Sequence, residues 1–191
     1  KELNPTGGED RHLDSAFEFK LADEHTLELT YQHMDRDHIF RYYRPTQLNS
    51  NNRDAGHLLY RWKPAQGWLR EFQAKQYVQR KKDRRIWRDT GQRGRAVWFS
   101  LEQSAQAELA LGARDEHRLV GGLSHHVDYG ESADDEQFTI RIPNGPRRKD
   151  APDTVWRNYA AFGLYEWEPF EGLLLSASGR VDYFEFFSRV D

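Results

Sequence analysis

The residues best suited to chemistry gather in a few short stretches. His33, Met34, Asp35, Arg36, Asp37 and His38 place two imidazoles, a thioether and two carboxylates in succession, donors that suit a copper-type ion. The same run also reads as a polar loop base, and donor types without geometry do not make a metal site, so none is assigned. The chain continues with Phe40, Arg41, Tyr42, Tyr43, Arg44 and Pro45. Here Arg41, Tyr42, Tyr43 and Arg44 could grip an anionic metal chelate, with guanidinium forks on its oxygens and rings stacked on its flat groups. Ordinary loop packing or contact with an anionic surface would use the same residues. The stretch from Arg80 to Arg88 is the most basic, and Trp87 adds a ring to it. Alone it suggests nucleic acid. Its place between two strands points instead to a solvated segment that draws an anionic ligand inward. Glu131 to Glu136 holds four acids but lacks the calcium-loop pattern, so it reads as a solvated loop. His125 and His126 are adjacent in a strand and face opposite ways, so they cannot share one metal. No nucleophile–base pair, phosphate loop or metalloprotease motif occurs. The expectation is a protein that is not an enzyme and carries no cofactor.

Composition limits what can position these groups. The 191 residues include 28 Lys and Arg against 31 Asp and Glu, a net charge of −3 that exerts no general pull on nucleic acid. Mean hydropathy is −0.95, and no run approaches the roughly 20 apolar residues of a spanning helix. Aromatics nonetheless reach 14%, too many for a disordered chain. Cysteine is absent, which excludes a disulfide framework and thiolate metal sites. The chain opens on Lys1 without a signal-like apolar stretch, and it is expected to be a piece of something longer.

Such a chain must separate greasy from polar residues by geometry, and the pattern has period two. Leu173, Leu175, Ala177, Gly179, Val181 and Tyr183 oppose Ser176, Ser178, Arg180 and Asp182. Leu13, Phe17, Phe19 and Leu21 alternate likewise, as do Leu27, Leu29 and Tyr31. So do Val97 to Leu109 and Leu119 to Tyr129. Weaker alternation marks 55–63, 68–80 and 155–168. Eight strands are expected, near 13–22, 26–36, 55–63, 68–80, 95–109, 117–129, 155–168 and 173–187. Short turns at 23–25, 64–67, 112–115 and 169–172 alternate with long loops at 37–54, 81–94 and 130–154. That alternation is a mark of membrane barrels. Trp62, Trp68, Trp167 and Phe170 lie beside the short turns. Tyr31, Tyr129, Trp156, Tyr159 and Tyr183 lie a strand-length away, as two interfacial belts would. The fold class read here is all-β: an antiparallel, up-and-down transmembrane β-barrel segment of about eight strands, an incomplete barrel. A soluble barrel or sandwich with its apolar face inward is the competing reading.

The segment Val155, Trp156, Arg157, Asn158, Tyr159, Ala160, Ala161, Phe162, followed by Glu166 and Trp167 and then Leu175 to Tyr183, resembles a hairpin of TonB-dependent outer-membrane receptors. Val181 stands where that pattern often has Tyr. His25 to Gln32 is similar to another strand of the family. Gln47, Leu48 and Asn49 followed by Asn52, Arg53, Asp54 and Leu59 to Trp62 also fit it. The resemblance implies a partial receptor barrel over residues 1–191, part of a barrel of about 22 strands around a plug. No plug or energy-coupling box is recognisable. It further implies a place in the outer membrane of a Gram-negative bacterium and uptake of a scarce ligand, most often a ferric siderophore or similar metal chelate. TonB would act through a plug outside this chain, lipopolysaccharide and outer-membrane lipid would surround the wall, and nucleic acid would not be a partner. Arg180 and Asp182 would form a charge ladder inside the barrel. The alternative is a small self-contained barrel for binding or adhesion, without energised transport.

Overall fold

The computed structural model describes residues 8–41, 44–87, 93–112, 116–134 and 153–189. They form eight strands in chain order: β1 (Glu9–Ala22), β2 (His25–Arg41), β3 (Arg44–Trp62), β4 (Leu69–Trp87), β5 (Arg93–Leu111), β6 (His117–Asp134), β7 (Asp153–Phe170) and β8 (Leu173–Arg189). All pair antiparallel with their sequence neighbours in one sheet, with β1 and β8 as its edges. The architecture is the up-and-down wall expected from the alternation.

Cross-strand register shows why the alternation was needed. Directly opposed residues share a face of the sheet. Phe17 opposes Leu29, which opposes Leu58. Phe99 opposes Tyr129, which opposes Val155. Leu123 opposes Ala161, which opposes Val181. The apolar parity of every strand therefore falls on one face. That face is open: Phe17 is 56% exposed, Leu123 66% and Val181 74%. The greasy side chains share no dry centre, which overturns the inward-facing soluble reading. The few buried small residues lie on the opposite, polar face, among them Ala55 and Ala160.

The register also sets the tilt. His25 starts a row of partners through Trp62, Phe72, Ala107, Gly121 and Gly163 to Gly179. After six strand-to-strand steps this row lies six residues into β8, at Gly179 rather than at Leu173 beside the turn. One residue per strand is about 3.3 Å of rise for about 4.8 Å of spacing, a tilt of about 35°, which suits a barrel.

Two expectations are corrected. The long loops expected at 37–54 and 81–94 are mostly strand. β2 runs to Arg41 and β3 begins at Arg44, while β4 runs to Trp87 and β5 begins at Arg93. Asn, Asp and Arg disfavour strands locally, but pairing with a neighbour overrides that preference. At these two connections the alternation lies in strand extension beyond the apolar band, and most of the loop expected at 130–154 lies outside the described residues. Trp156 does not join the outer belt. It opposes Asp128 on the polar face and stacks on Phe184 at 5.8 Å.

Local devices hold the register. Gly67 and Gly172 adopt positive φ, +104° and +87°, in the turns after β3 and β7. His38 at φ +56° marks a bulge where the β2–β3 register shifts between Arg36 and Ile39. On the polar face the Phe162 ring covers Gly122. A Cβ at Gly122 would lie 2.5 Å from the ring's Cζ and 2.8 Å from the Ala105 carbonyl oxygen. At the short-turn end Glu24 ties two hairpins together. Its carbonyl accepts from the Lys63 amide at 2.9 Å, and its carboxylate accepts from the Ala65 amide at 2.8 Å and the Trp62 indole at 3.3 Å.

Candidate functional site: a charged inner wall and a polar rim

Alternation hands every second side chain to the polar face, and there the charges pair across strands. Arg61 of β3 reaches Glu28 of β2 at 2.9 Å and Glu71 of β4 at 3.2 Å. Lys75 of β4 reaches Glu102 of β5 at 3.4 Å. Arg118 of β6 lies between Glu108 of β5 at 2.9 Å and Glu166 of β7 at 2.8 Å. Arg180 meets Asp182 at 2.8 Å, and Asn158 donates to the same carboxylate at 3.2 Å. The expected Arg180–Asp182 ladder is therefore present, within a longer charged lattice. The charged groups are all partly exposed and Asn158 alone among these is buried, so the wall they form is suited to water and to a polar partner rather than to hydrocarbon. Sequence reading could not find the lattice, because its partners lie on different strands and meet only once the register is known.

A concavity of about 400 Å³ opens on this face, lined by Glu102, His126, Trp156, Asn158, Phe162 and Arg180 among others. His126 stacks edge-on against Trp156 at 5.2 Å and pairs with Asp128 at 3.0 Å. His125 lies on the other face against Tyr159, with ring centroids 4.6 Å apart. The two histidines diverge as their adjacency required.

Of the expected ligand-gripping residues, Arg41, Arg44 and Trp87 fall at one rim. Arg41 and Arg44 are paired at the tips of β2 and β3. Trp87, the last residue of β4, pairs with Gln47, three residues along β3 from Arg44. Tyr42 and Tyr43 lie outside the described residues. The backbone thus brings Arg41, Arg44 and Trp87 to the same end of neighbouring strands. The run from His33 to His38 does not converge. His33 opposes Asp54 and hydrogen-bonds it at 2.8 Å, whereas Met34 points to the opposite face. Among the described residues no cluster of three or more His, Asp or Glu could hold a metal ion. The acidic run expected as a solvated loop is strand over residues 131–134, where β6 pairs with β5, and residues 135 and 136 lie outside the described residues.

Exposed apolar face, charged inner face, barrel tilt and strands of 14 to 19 residues define the wall of an outer-membrane-type β-barrel. Comparison with solved structures agrees. The chain is similar in fold to a protein described as "Copper transporter OprC", with a TM-score of 0.75 and 16% sequence identity, over 96% of this chain. The chain spans 29% of that protein's length. No family model and no curated protein sequence matches it.

Proposed function

We propose that residues 1–191 are barrel wall from an energised outer-membrane receptor of the TonB-dependent kind. In this reading the apolar face contacts lipid in a Gram-negative outer membrane, and the charged face lines the lumen against a plug lying outside this chain. TonB pulls on that plug. The chain itself binds and guides, and performs no catalysis. The carrying observation is that the apolar parity of the eight strands falls on one open face, while the charge pairs of Arg61, Lys75 and Arg118 lie on the other. The ligand proposed is a ferric siderophore or similar chelate, met at the rim by Arg41, Tyr42, Tyr43, Arg44 and Trp87. Copper is the second reading, favoured by the neighbour described as a copper transporter.

The test is accumulation of radioactive iron–siderophore complexes and of radioactive copper in cells with and without the intact gene, each with and without a protonophore. Gene-dependent, protonophore-sensitive uptake of an iron chelate is the expected result. Uptake of copper alone transfers the ligand to the second reading. Passive binding without energised uptake overturns the transport reading and favours a self-contained binding barrel.

A further inference from the structure

The apolar face is interrupted on three neighbouring strands. On β4, β5 and β6 the outward parity holds Gln76, Gln103 and His125. Gln76 directly opposes Gln103, and Gln103 opposes His125, so the three form one row. Apolar residues bound that row on both sides. Val78, Leu101 and Val127 oppose one another toward the polar rim, and Ala74, Ala105 and Leu123 do so toward the short turns. The row therefore lies inside the apolar band, not at its edge. Gln76 and Gln103 are exposed, and among the described residues neither makes a side-chain hydrogen bond. The His125 ring stacks on Tyr159 at 4.6 Å, but among the described residues its Nε2 has no hydrogen-bond partner. The row crosses a concavity of about 750 Å³ on the same face, where Ala74 and Ala105 leave space and Leu123 stands at one side.

Hydrocarbon offers no hydrogen bond to an amide or an imidazole, and leaving one unsatisfied there is costly. Acyl chains therefore cannot complete this row. Amides can complete one another, since each carries both donors and an acceptor. Two copies inserted the same way into one membrane are related by an axis along its normal, so side chains meet at matching depths. An axis through Gln103 sets β4 of one copy against β6 of the other. Gln103 then faces the partner's Gln103, and Gln76 faces the partner's His125. The shapes agree under the same rotation. Leu123, 66% exposed, comes over the partner's Ala74, a large side chain against a small one. Small residues at such a contact let two walls approach closely enough to bond. Two convex walls touch along a few neighbouring strands, and the row occupies neighbouring strands.

We propose that the outward face of β4, β5 and β6 is the interface of a two-fold dimer within the membrane, closed by hydrogen bonds between the Gln76, Gln103 and His125 rows of two copies of this chain. The proposal rests on the outer-membrane reading above, and its experiment separates the two. The intact protein is labelled with donor or acceptor dye and reconstituted into phosphatidylcholine vesicles. Energy transfer is then followed as added lipid dilutes the protein. The wild type should show transfer that falls along the curve of a dimer. Q76L/Q103L/H125L puts apolar side chains against lipid, which favours the folded wall, yet it should dimerise at least about tenfold more weakly because interchain hydrogen bonds are lost. A74W keeps the row but fills the space that receives Leu123, and it should weaken the dimer likewise. Q32L/Q106L makes the same exchange on the polar face and should dimerise as the wild type does. A wild type that stays monomeric at every dilution, an undiminished dimer in either outward variant, or equal loss in Q32L/Q106L overturns the proposal. A monomer that holds a different membrane protein or a small molecule at the row overturns the choice of a second copy. Failure of the wild type to enter the vesicles sinks the outer-membrane reading and the dimer with it, whereas entry as a monomer sinks the dimer alone.

Discussion

Leu123→Arg tests which way the wall faces. Leu123 is 66% exposed and lies six residues into β6 from His117. At about 3.3 Å per residue and a tilt of about 35°, that places it about 16 Å from the short-turn end, near the middle of an apolar band about 25 Å tall. Arg on the lipid face at that depth costs roughly 2–4 kcal/mol. The folding constant should fall by about 1.5 to 3 orders of magnitude. The adjacent Ser124 lies on the charged face and lines the same concavity as Glu102 and His126. Ser124→Arg should therefore stay within about 0.5 kcal/mol, as a substitution in a wet polar setting does. The assay is urea titration of folding into lipid vesicles, read by the mobility shift of folded barrels in unheated gels. If Leu123→Arg costs no more than Ser124→Arg, that face contacts water and the membrane argument fails.

Three smaller perturbations follow from side-chain geometry. Gly122→Val drives a side chain into the Phe162 ring and the Ala105 carbonyl, so it should cost about 1–3 kcal/mol in the same titration. The pair Gly122→Val with Phe162→Ala should recover part of that loss, and strictly additive costs would refute the packing account. Arg118→Ala leaves Glu108 and Glu166 side by side without their shared cation. It should cost about 1 kcal/mol, with the loss shrinking in high salt. The Glu24 carboxylate is held below its ordinary range, first by the Ala65 amide and then by the Trp62 indole. The stabilisation it gives is therefore present above the ordinary glutamate range and lost as pH falls through the lowered value. Glu24→Gln should flatten the acid limb of a pH–stability profile, and an unchanged profile would show that the clamp contributes nothing.

Alternation was legible because it is local. Leu173 to Tyr183, Val97 to Leu109 and Leu119 to Tyr129 each declare their two faces without reference to any other strand. Even the ragged segments at 55–63 and 155–168 had the parity that the register later required. Strand ends were not legible. Asn51, Asn52, Arg53 and Asp54 have the composition of a loop, and only pairing with Asp83, Lys82, Lys81 and Arg80 makes them strand. Trp156 was misassigned to the outer belt because aromatic identity was weighed above parity. The shared strand end of Arg41, Arg44 and Trp87 was legible from strand order alone. The Arg118 lattice and the row of Gln76, Gln103 and His125 were not, because each depends on register between distant strands.

The one-residue slope has a mechanical meaning. Rows of hydrogen bonds climb across the sheet as a screw thread does, so no strand can slip along its neighbour without breaking every bond on that side at once. The cations and carboxylates of the polar face are set on that thread, so Arg61, Lys75 and Arg118 follow it from strand to strand. Such a wall resists shear strongly and keeps its pitch as strands are added. The thread runs out to the tips of β2, β3 and β4, where Arg41 pairs with Arg44 and Trp87 with Gln47.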